Sequence, residues 1–414
     1  MTTKINNEHK KLNVPNLRFP EFEGEWKEER LADIADLYKG TGISKDQLSV
    51  DGEPCILYGE LYTKYKSETI KKVISKTSID NAKLVRSKAN DVIIPCSGET
   101  AEDIATARCV LKDNILLGGD LNIIRLRGHD GSFISYQLNG KRKYDIAKVA
   151  QGVSVVHLYG EHLKGVKTIN PCLDEQKKIA GLLTLLDERI ATQNKIIDKL
   201  QSLIKGIADN ILDNPLWKKT YLRSFMQFFS TNSLSWEQLS YEEGEIRNLH
   251  YGLIHGFFTS GIKSYSLPMV KYGEMPKQYT LCQVGDVAFA DASEDTDEIG
   301  KSVEFVDTIK GDTICGLHTI HGRDIKNRTV VGFKGFAFNS RYFHNQIKRL
   351  AQGTKVFSIT ANNLSSCYVY LPDVETQKVI VKLLKAYEEQ LIISRMTLKQ
   401  YEKQKQYLLR QMFI

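Results

Sequence analysis

The chain has 414 residues, of which 42% are hydrophobic and 26% are charged, a balance typical of globular proteins. This length exceeds what one ordinary core organises, so it predicts two domains with connecting elements. No apolar run is long enough to cross a bilayer, and the polar segment from Met1 to Lys10 lacks the hydrophobic region of a secretory signal. We therefore expect a cytoplasmic protein with no membrane partner.

Net charge and cysteine content exclude few functional classes of protein. The net charge of +7 suits a nucleic-acid partner, because lysine and arginine neutralise phosphates, but it is also ordinary for a soluble protein. Seven cysteines are scattered along the chain without a C-x-x-C pair. That pattern predicts reduced thiols, with neither a disulfide framework nor a metal site. His318 and His321 could ligate a metal, yet nothing near them in the sequence completes a set.

The chain contains an internal repeat. Its second half matches the first without a gap from 147–212 onto 348–413, at an offset of 201 residues. The matches in this register are Ala150-Gln151-Gly152 with Ala351-Gln352-Gly353, Pro171 with Pro372, Gln176-Lys177 with Gln377-Lys378, and Leu182-Leu183 with Leu383-Leu384. Upstream, Asp91-Val92 matches Asp286-Val287 and Tyr58-Gly59 matches Tyr251-Gly252 at smaller offsets. Short loop insertions produce such drift, so we interpret the chain as one module duplicated.

Each copy begins with a region of short strands. Predicted strands lie at 91–95, 121–125 and 285–289, and further ones at 153–157 and 356–359 directly follow the Ala-Gln-Gly turns. The globular parts close at Pro171 and Pro372. Acidic residues follow each proline, which predicts a helix N-terminus at both places.

A long helix then follows in each copy. Apolar residues recur there in alternating steps of four and three over about five heptads, which predicts a coiled-coil seam. The seam residues are Ile179, Leu183, Leu186, Ile190, Ile197, Leu200 and Ile204 in the first helix, and Ile380, Leu384, Tyr387, Leu391, Leu398, Tyr401 and Leu408 in the second. Gln193 and Ser394 fill equivalent polar positions. We expect the two helices to pair within the chain, although packing on their own domains or pairing between two chains would also cover the seams.

The sequence resembles the specificity subunits of type I restriction–modification systems over essentially its whole length. The resemblance rests on the opening Val14-Pro-Asn-Leu-Arg-Phe-Pro-Glu-Phe22, on Trp26 and Leu31-Ala-Asp-Ile34, on Tyr58-Gly-Glu-Leu-Tyr62 with Tyr251-Gly-Leu-Ile-His255, and on the Ala-Gln-Gly, proline and Gln-Lys series before each helix. The second copy departs from the first, since Leu253 replaces Glu60 and Arg18-Phe19-Pro20 has no clear counterpart.

This resemblance implies an α+β fold, with two globular target recognition domains in tandem duplication, separated by two long helices that pair as an antiparallel coiled coil. We place recognition domain 1 at 1–170, the central helical spacer at 171–213, recognition domain 2 at 214–371 and the C-terminal helical spacer at 372–414. Each domain would read one half of a bipartite double-stranded DNA target. The coiled coil would set the gap and dock two methyltransferase subunits, and restriction subunits would join them. The chain itself would bind no cofactor, while its partners would use S-adenosylmethionine, ATP and Mg.

Base reading requires forked donors and acceptors, with cations nearby on phosphates. The candidates in such positions are Tyr58, Tyr62, Lys64, Lys66, Ser97, Glu99, Arg108, Gln151, Ser154 and His157 in the first copy, and Tyr251, His255, Ser293, Glu294, Gln352, Lys355 and Ser358 in the second. Further phosphate contacts are predicted at Lys141, Arg142, Lys143, Arg341 and Lys348. A solvated surface lysine, or a tyrosine packed under a turn, is the alternative for any single position.

Catalytic motifs are missing from the sequence. It contains no G-x-G-x-x-G, G-x-x-x-x-G-K-[ST] or H-E-x-x-H motif, and no Asn/Asp-Pro-Pro-Tyr/Phe motif of an amino-methyltransferase. The acidic stretch from Glu294 to Glu298 could suggest a metal site or a nuclease, but it aligns with Glu99, Glu102 and Asp103 and fits a shared scaffold better. We therefore predict a non-catalytic protein. The alternatives are a coiled-coil scaffold without sequence-specific DNA binding, and an enzyme with an unfamiliar site.

Overall fold

A computed structural model describes residues 12–80, 83–152, 155–256, 260–262, 266–307 and 312–414. The chain divides into two compact units, one containing the residues up to Asn194 together with Met396–Ile414, and the other containing Lys195–Arg395. Asn194 and Arg395 are equivalent in the 201-residue repeat. Each unit therefore holds one globular region with the first half of its own long helix and the second half of the other.

The first unit contains mixed sheets and short helices before its long helix. Its strands are β1 (Lys27–Arg30), β2 (Ala35–Lys39), β3 (Leu48–Ser49), β4 (Glu53–Ile56), β5 (Thr69–Ile70), β6 (Ser75–Thr77), β7 (Val85–Arg86), β8 (Asp91–Pro95), β9 (Ser97–Gly98), β10 (Arg108–Val110), β11 (Leu116–Leu117), β12 (Leu121–Leu126), β13 (Val156–His157) and β14 (Lys167–Asn170). Its helices are α1 (Leu31–Ile34), α2 (Glu60–Thr63), α3 (Ala101–Ile104), α4 (Gly131–Asn139), α5 (Lys143–Val149), α6 (Gly160–Lys164) and the start of α7 (Leu173–Leu212).

The central sheet of this unit has the strand order β2-β12-β8-β10-β5, and a second sheet has the order β3-β6-β4-β11-β7. Every residue of β8 is buried. Val92 packs in a cluster with Phe133 of α4, whereas Ile93 packs in another with Ile56 of β4. Alternate side chains of a strand point to opposite faces, so β8 is apolar from Val92 to Pro95 because both faces of its sheet are covered.

The second unit repeats this arrangement. Its strands are β15 (Lys218–Tyr221), β16 (Met226–Phe229), β17 (Leu239–Ser240), β18 (Arg247–Leu249), β19 (Gly261–Ile262), β20 (Met269–Val270), β21 (Val287–Ala290), β22 (Ala292–Ser293), β23 (Ser302–Phe305), β24 (Thr313–Cys315), β25 (Thr319–Asp324), β26 (Phe357–Ser358) and β27 (Tyr368–Leu371). Its helices are α8 (Tyr251–Gly256), α9 (Phe333–Ala337), α10 (Arg341–Leu350), α11 (Ala361–Ser366) and α12 (Val374–Gln411). The central sheet has the order β16-β25-β21-β23-β19, equivalent to that of the first unit.

The duplication extends to buried ion pairs. In the first unit, Arg125 of β12 donates through Nε and Nη2 to the carboxylate of Asp91, at 3.0 and 2.8 Å. In the second unit, Arg323 of β25 makes the same forked contact to Asp286, at 2.8 and 2.7 Å. The predicted duplication is therefore confirmed in tertiary structure as well as in sequence.

The two long helices run antiparallel. In the first unit, Ile179 and Leu183 near the start of α7 share a core cluster with Leu408 and Met412 at the end of α12. Lys405 of α12 also lies 2.7 Å from Asp187 of α7. The prediction of an antiparallel pair within the chain is confirmed here.

The same pairing occurs in the second unit, where Ala208 and Leu212 near the end of α7 share a cluster with Ile380 and Leu384 near the start of α12. All the predicted seam residues are buried or half-buried. Of the two polar seam positions, Ser394 is buried and Gln193 is half-buried. Among the described residues, no helix is both long and apolar enough to cross a membrane.

The strand predictions are confirmed to within a few residues. Those at 91–95 and 121–125 correspond to β8 and β12, and that at 285–289 begins two residues before β21. The predictions at 153–157 and 356–359 were too long, since β13 and β26 are two-residue strands. Residues 153 and 154 lie outside the described part of the chain.

Candidate nucleic-acid interface

A short two-stranded ribbon presents the main candidates of the first unit. Its strands are β9 and β13, with Ser97 opposite His157. The backbone of Gln151 exchanges hydrogen bonds with that of His157, at 2.9 and 2.7 Å, which folds the Ala-Gln-Gly segment back onto β13. Gly152 has φ 123°, and a Cβ built there would lie 2.1 Å from the carbonyl oxygen of Val155. Only glycine therefore fits this turn.

The structure brings several predicted residues together on this ribbon. Tyr62 of α2 donates its hydroxyl to the carbonyl of Ser97 at 3.1 Å. Burial raises the pKa of Tyr62, so its hydroxyl remains a donor near neutral pH. Gln151 and His157 are exposed, and Glu99 is exposed just beyond β9. The ribbon thus offers amide, imidazole and carboxylate groups to solvent.

Two ribbon residues were not among the sequence candidates. The ring of Tyr159 stacks on that of His157 at 6.2 Å, and His162 meets the edge of Tyr159 at 5.5 Å. Nε2 of Gln151 lies 3.5 Å from Nε2 of His162. Tyr159 is 50% exposed, so an aromatic face accompanies the polar groups. Their position so soon after the Ala-Gln-Gly turn was the signal that could have identified them.

Other candidates of the first unit lie apart from this ribbon or are already engaged. Lys64 donates to Glu60 and to Ser75, both at 2.7 Å. Arg108 is half-buried in β10 and donates to the carbonyls of Tyr65 and Ala107, at 3.0 and 2.8 Å. Burial lowers the pKa of Arg108, although the negative charges of the buried carboxylates Glu68 and Asp187 act in the opposite direction.

The remaining candidates of that unit differ in exposure. Tyr58 and Lys66 are exposed, and Lys66 donates to the carbonyl of Tyr62 at 3.0 Å. Ser154 lies outside the described residues. Of the predicted phosphate contacts, Lys141 is exposed, Lys143 is half-buried and Arg142 pairs with Asp145 at 3.4 Å.

The second unit forms an equivalent ribbon from β22 and β26. Ala292 lies opposite Ser358, and Ser293 lies opposite Phe357. The backbone of Gln352 exchanges hydrogen bonds with Ser358 at 3.0 and 2.8 Å. Gly353 has φ 125°, and an added Cβ would lie 2.0 Å from the carbonyl oxygen of Val356. The sequence candidates Gln352, Lys355 and Ser358 are all exposed here.

Tyr251 belongs to an aromatic cluster in the second unit. The ring of His250 lies 4.4 Å from that of Trp236 and 4.7 Å from that of Tyr251. The edge contacts of Tyr251 to His318 and His255 are 5.2 and 6.0 Å. Burial, helped by the nearby His318, lowers the pKa of His250, so the imidazole in the centre of the cluster is neutral near pH 7. Trp236 is 46% exposed and was not identified from the sequence.

The acidic stretch of the second unit serves the scaffold. Glu298 contacts His255 at 3.2 Å and Lys301 at 3.1 Å. Asp297 pairs with Lys348, which was a predicted phosphate contact. Glu294 and the other such cation, Arg341, are exposed. These pairings favour the scaffold interpretation of the acidic residues over a nuclease site.

One group of possible metal ligands is present among the described residues. Cys282, Cys315 and His321 are all buried, and their ligand atoms lie within 4.8 Å of one another. The two cysteines are 33 positions apart in the chain. Such spacing carries no metal-site signature, which is why the sequence predicted no metal site.

Comparison with known proteins connects this architecture to a family. A family model described as the type I restriction modification DNA specificity domain matches residues 23–202 and 316–402. The chain belongs to this family. Both matched stretches include an Ala-Gln-Gly turn and most of a long helix, so the family pattern recurs in the two halves.

Individual relatives agree with this assignment. The chain is 24% identical over 408 residues to the type I restriction enzyme MjaVIII specificity subunit of Methanocaldococcus jannaschii, covering 94% of this chain and 91% of the relative. Among solved structures, the type I restriction–modification S subunit from M. genitalium is similar with a TM-score of 0.60 at 16% identity, covering 97% and 99% of the two chains.

A second similar structure concerns complex assembly and conformational transition of the type I R-M system. It has a TM-score of 0.52 at 14% identity and covers 93% of this chain and 96% of that one. At these identities the structures support the fold. The family model supports membership, and neither comparison favours a scaffold unrelated to DNA specificity.

Proposed function

We propose that this chain is the DNA-sequence specificity subunit of a type I restriction–modification complex. The observation that carries the proposal is the same partly exposed two-stranded ribbon in each of two duplicated units, in a chain of the DNA specificity family. A ribbon of two strands fits the width of the major groove, where every base pair presents a distinct pattern of donors and acceptors. Each unit would read one half of a bipartite target.

The two ribbons carry different side chains at equivalent positions. Ser97 and His157 face each other in the first, whereas Ala292 and Ser358 do so in the second. Exposed Lys355 directly precedes the second ribbon. Because base reading depends on the donors and acceptors presented, the two half-targets would differ in sequence.

The paired helices would set the gap between the half-targets and dock two methyltransferase subunits. Exposed apolar side chains lie on the helices outside the seam, and larger groups of such residues often mark protein interfaces. They are Leu182, Leu185, Ile196, Leu203, Val379, Leu383, Ile392, Ile393 and Met396. In the repeated pair Leu182-Leu183, the second leucine is buried in the core and the first is exposed, and Leu383-Leu384 behaves in the same way.

The chain would act without a catalytic site of its own. Adenine methyl transfer and DNA cleavage would belong to partner methyltransferase and restriction subunits, which would use S-adenosylmethionine, ATP and Mg. The chain would bind its DNA target in the cytoplasm.

A selection experiment tests the main proposal. The full chain, with and without its methyltransferase partner, is incubated with a random double-stranded DNA pool, and the bound DNA is sequenced. We expect enrichment of two short motifs separated by a fixed gap. Salt-sensitive binding without any enriched motif would instead support the coiled-coil scaffold.

Variants then assign each half of the motif. The double variant Gln151→Ala/His157→Ala should lose about tenfold in affinity through the first half-target, since a good base contact contributes about 1–3 kcal/mol. Gln352→Ala/Ser358→Ala should affect only the second half. Gln404→Ala, at an exposed position of α12, is the control.

Replacement of residues 30–165 by those of a relative should change one half-target only, and one heptad added to both helices should change only the gap.

A further inference from the structure

We propose that the second unit binds a thiophilic metal ion, Zn²⁺, between Cys282, Cys315 and His321. The three residues come from separate segments, with Cys282 before β21, Cys315 at the end of β24 and His321 within β25. They are only 7%, 3% and 1% exposed. Two thiols and an imidazole that converge in a core form a ligand set typical of zinc rather than of magnesium or calcium, which prefer oxygen.

The geometry suits tetrahedral coordination. The Sγ atoms of Cys282 and Cys315 are 3.5 Å apart. Two sulfurs bound to one zinc at about 2.3 Å in a tetrahedron lie about 3.8 Å from each other. The two sulfurs therefore require an adjustment of only a few tenths of an ångström, and the imidazole nitrogen already lies within 4.8 Å of both. With three protein ligands, the fourth coordination position would be filled by a water molecule.

A contact with a buried carboxylate orients the imidazole of His321. Nε2 of His321 lies 2.7 Å from Oδ2 of Asp286, and Arg323 holds the same carboxylate through two hydrogen bonds. With Nε2–H donating to Asp286, Nδ1 carries the lone pair that can bind a metal. A carboxylate that orients a metal-binding histidine in this way is a common feature of zinc sites.

The first unit provides an internal comparison. Ser87, Leu117 and Ile123 occupy the positions equivalent to the three proposed ligands, as the strand registers show: Ile123 pairs with Ile93 where His321 pairs with Ala288. Leu117 and Ile123 are fully buried in an apolar cluster. The fold therefore tolerates apolar residues here, and the ligand set is a feature of the second unit alone among the described residues.

Burial assigns the ion a structural role. It would join β24, β25 and the segment before β21, within the apolar cluster of Cys282 and Cys315 against which Tyr251 packs. An ion that binds the folded unit and not the unfolded chain stabilises the fold. The second unit would then depend on metal, and the first would not.

Elemental analysis of the purified full-length protein tests the site. After reduction and incubation with zinc followed by dialysis, we expect about one zinc per chain. The variant Cys282→Ser/Cys315→Leu/His321→Ile introduces the residues that the first unit has at these positions, so it should fold. We expect it to retain less than about a tenth of that zinc. The control Cys367→Val, which places the residue equivalent to Val166 at another buried cysteine, should keep its zinc.

A spectroscopic measurement on the unmodified sequence is independent of variant folding. Cobalt added to the metal-free chain should give the absorption bands of a tetrahedral ion with thiolate ligands, and zinc should displace them. Absence of bound metal in the reduced protein, equal zinc in the triple variant, or a disulfide between Cys282 and Cys315 as the stable form would each overturn the proposal.

Discussion

Gln176 and Gln377 make equivalent buried hydrogen bonds at the starts of the two long helices. Gln176 accepts from the backbone N–H of Asp130 at 2.9 Å and donates to the carbonyl of Pro171 at 2.9 Å. Gln377 accepts from the N–H of Val330 at 2.9 Å and donates to the carbonyl of Pro372 at 3.0 Å. Each glutamine is 1% exposed. The glutamine of the repeated Gln-Lys pair therefore fixes each helix to its globular region.

Replacement of either glutamine should destabilise its own unit. Gln176→Ala and Gln377→Ala each leave a backbone N–H and a carbonyl without this buried partner, and we expect a loss of about 2 kcal/mol in the free energy of unfolding. The matched control is Lys177→Ala, one residue along and exposed. Urea unfolding measures the free energy of unfolding of the glutamine and lysine variants. An equal effect of the lysine and glutamine variants would contradict the assignment.

Glycine-to-alanine substitutions should have opposite effects on stability in the ribbon turns and in the long helices. Gly152→Ala and Gly353→Ala place a methyl group 2.1 and 2.0 Å from the carbonyl oxygens of Val155 and Val356, at positive φ. Each should therefore destabilise by more than about 1 kcal/mol and weaken DNA binding through its own half-target. Gly181→Ala is the opposite case. It lies on the exposed face of α7 with nothing near an added Cβ, and should stabilise by up to about 1 kcal/mol. Thermal unfolding and DNA binding are the measurements.

The repeated leucine pairs should respond differently at their two positions. Leu183→Ala removes a fully buried side chain and should cost about 3 kcal/mol of stability. Leu182→Glu and Leu383→Glu change exposed residues, so stability should hold while affinity for the methyltransferase subunit falls at least about tenfold. Calorimetric titration with the purified partner distinguishes the two classes. Unchanged partner affinity in both glutamate variants would place the docking surface elsewhere.

A buried carboxylate should make the second unit sensitive to pH. Burial raises the pKa of Glu388 above its ordinary 4.5. The hydrogen bonds from Ser260 and the positive charge of Lys385 lower this pKa, but burial has the larger effect. A raised folded-state pKa gives stability that is present below the ordinary value and is lost as pH rises through the raised value. Glu388→Gln should therefore increase stability at neutral pH and have little effect below about pH 4.

Urea unfolding across that range is the measurement, with the exposed neighbour substitution Glu389→Gln as the control. A difference between the Glu388 variant and the unmodified protein that stays constant with pH would show that packing, not ionisation, is responsible.

Much of the fold follows from local patterns in the sequence. The helix seam from Ile179 to Ile204 repeats every few residues, and the buried strand β8 is an apolar run from Val92 to Pro95, so neither requires knowledge of distant contacts. The duplication was also readable, because equivalent residues keep their order and nearly their spacing. These features depend on neighbours along the chain.

The candidate site was only partly predictable. Arg108 looked like a surface cation, but β10 lies inside the central sheet, and the guanidinium is occupied by backbone carbonyls. Lys64 is similarly held by Glu60. Conversely, the sequence did not show that Tyr159 and Trp236 are exposed, since an exposed aromatic residue resembles a buried one until its surroundings are known.

By itself, the sequence determined a duplicated chain with two long helical seams, because periodicity and repetition are local properties. Its resemblance to specificity subunits implied the α+β fold and the antiparallel pairing of the helices. Only the tertiary structure decided which distant polar groups meet. Ser97 faces His157, Asp91 holds Arg125, and Cys282 approaches Cys315 and His321. Such contacts depend on strand order and register, which bring together residues that the chain separates by tens of positions.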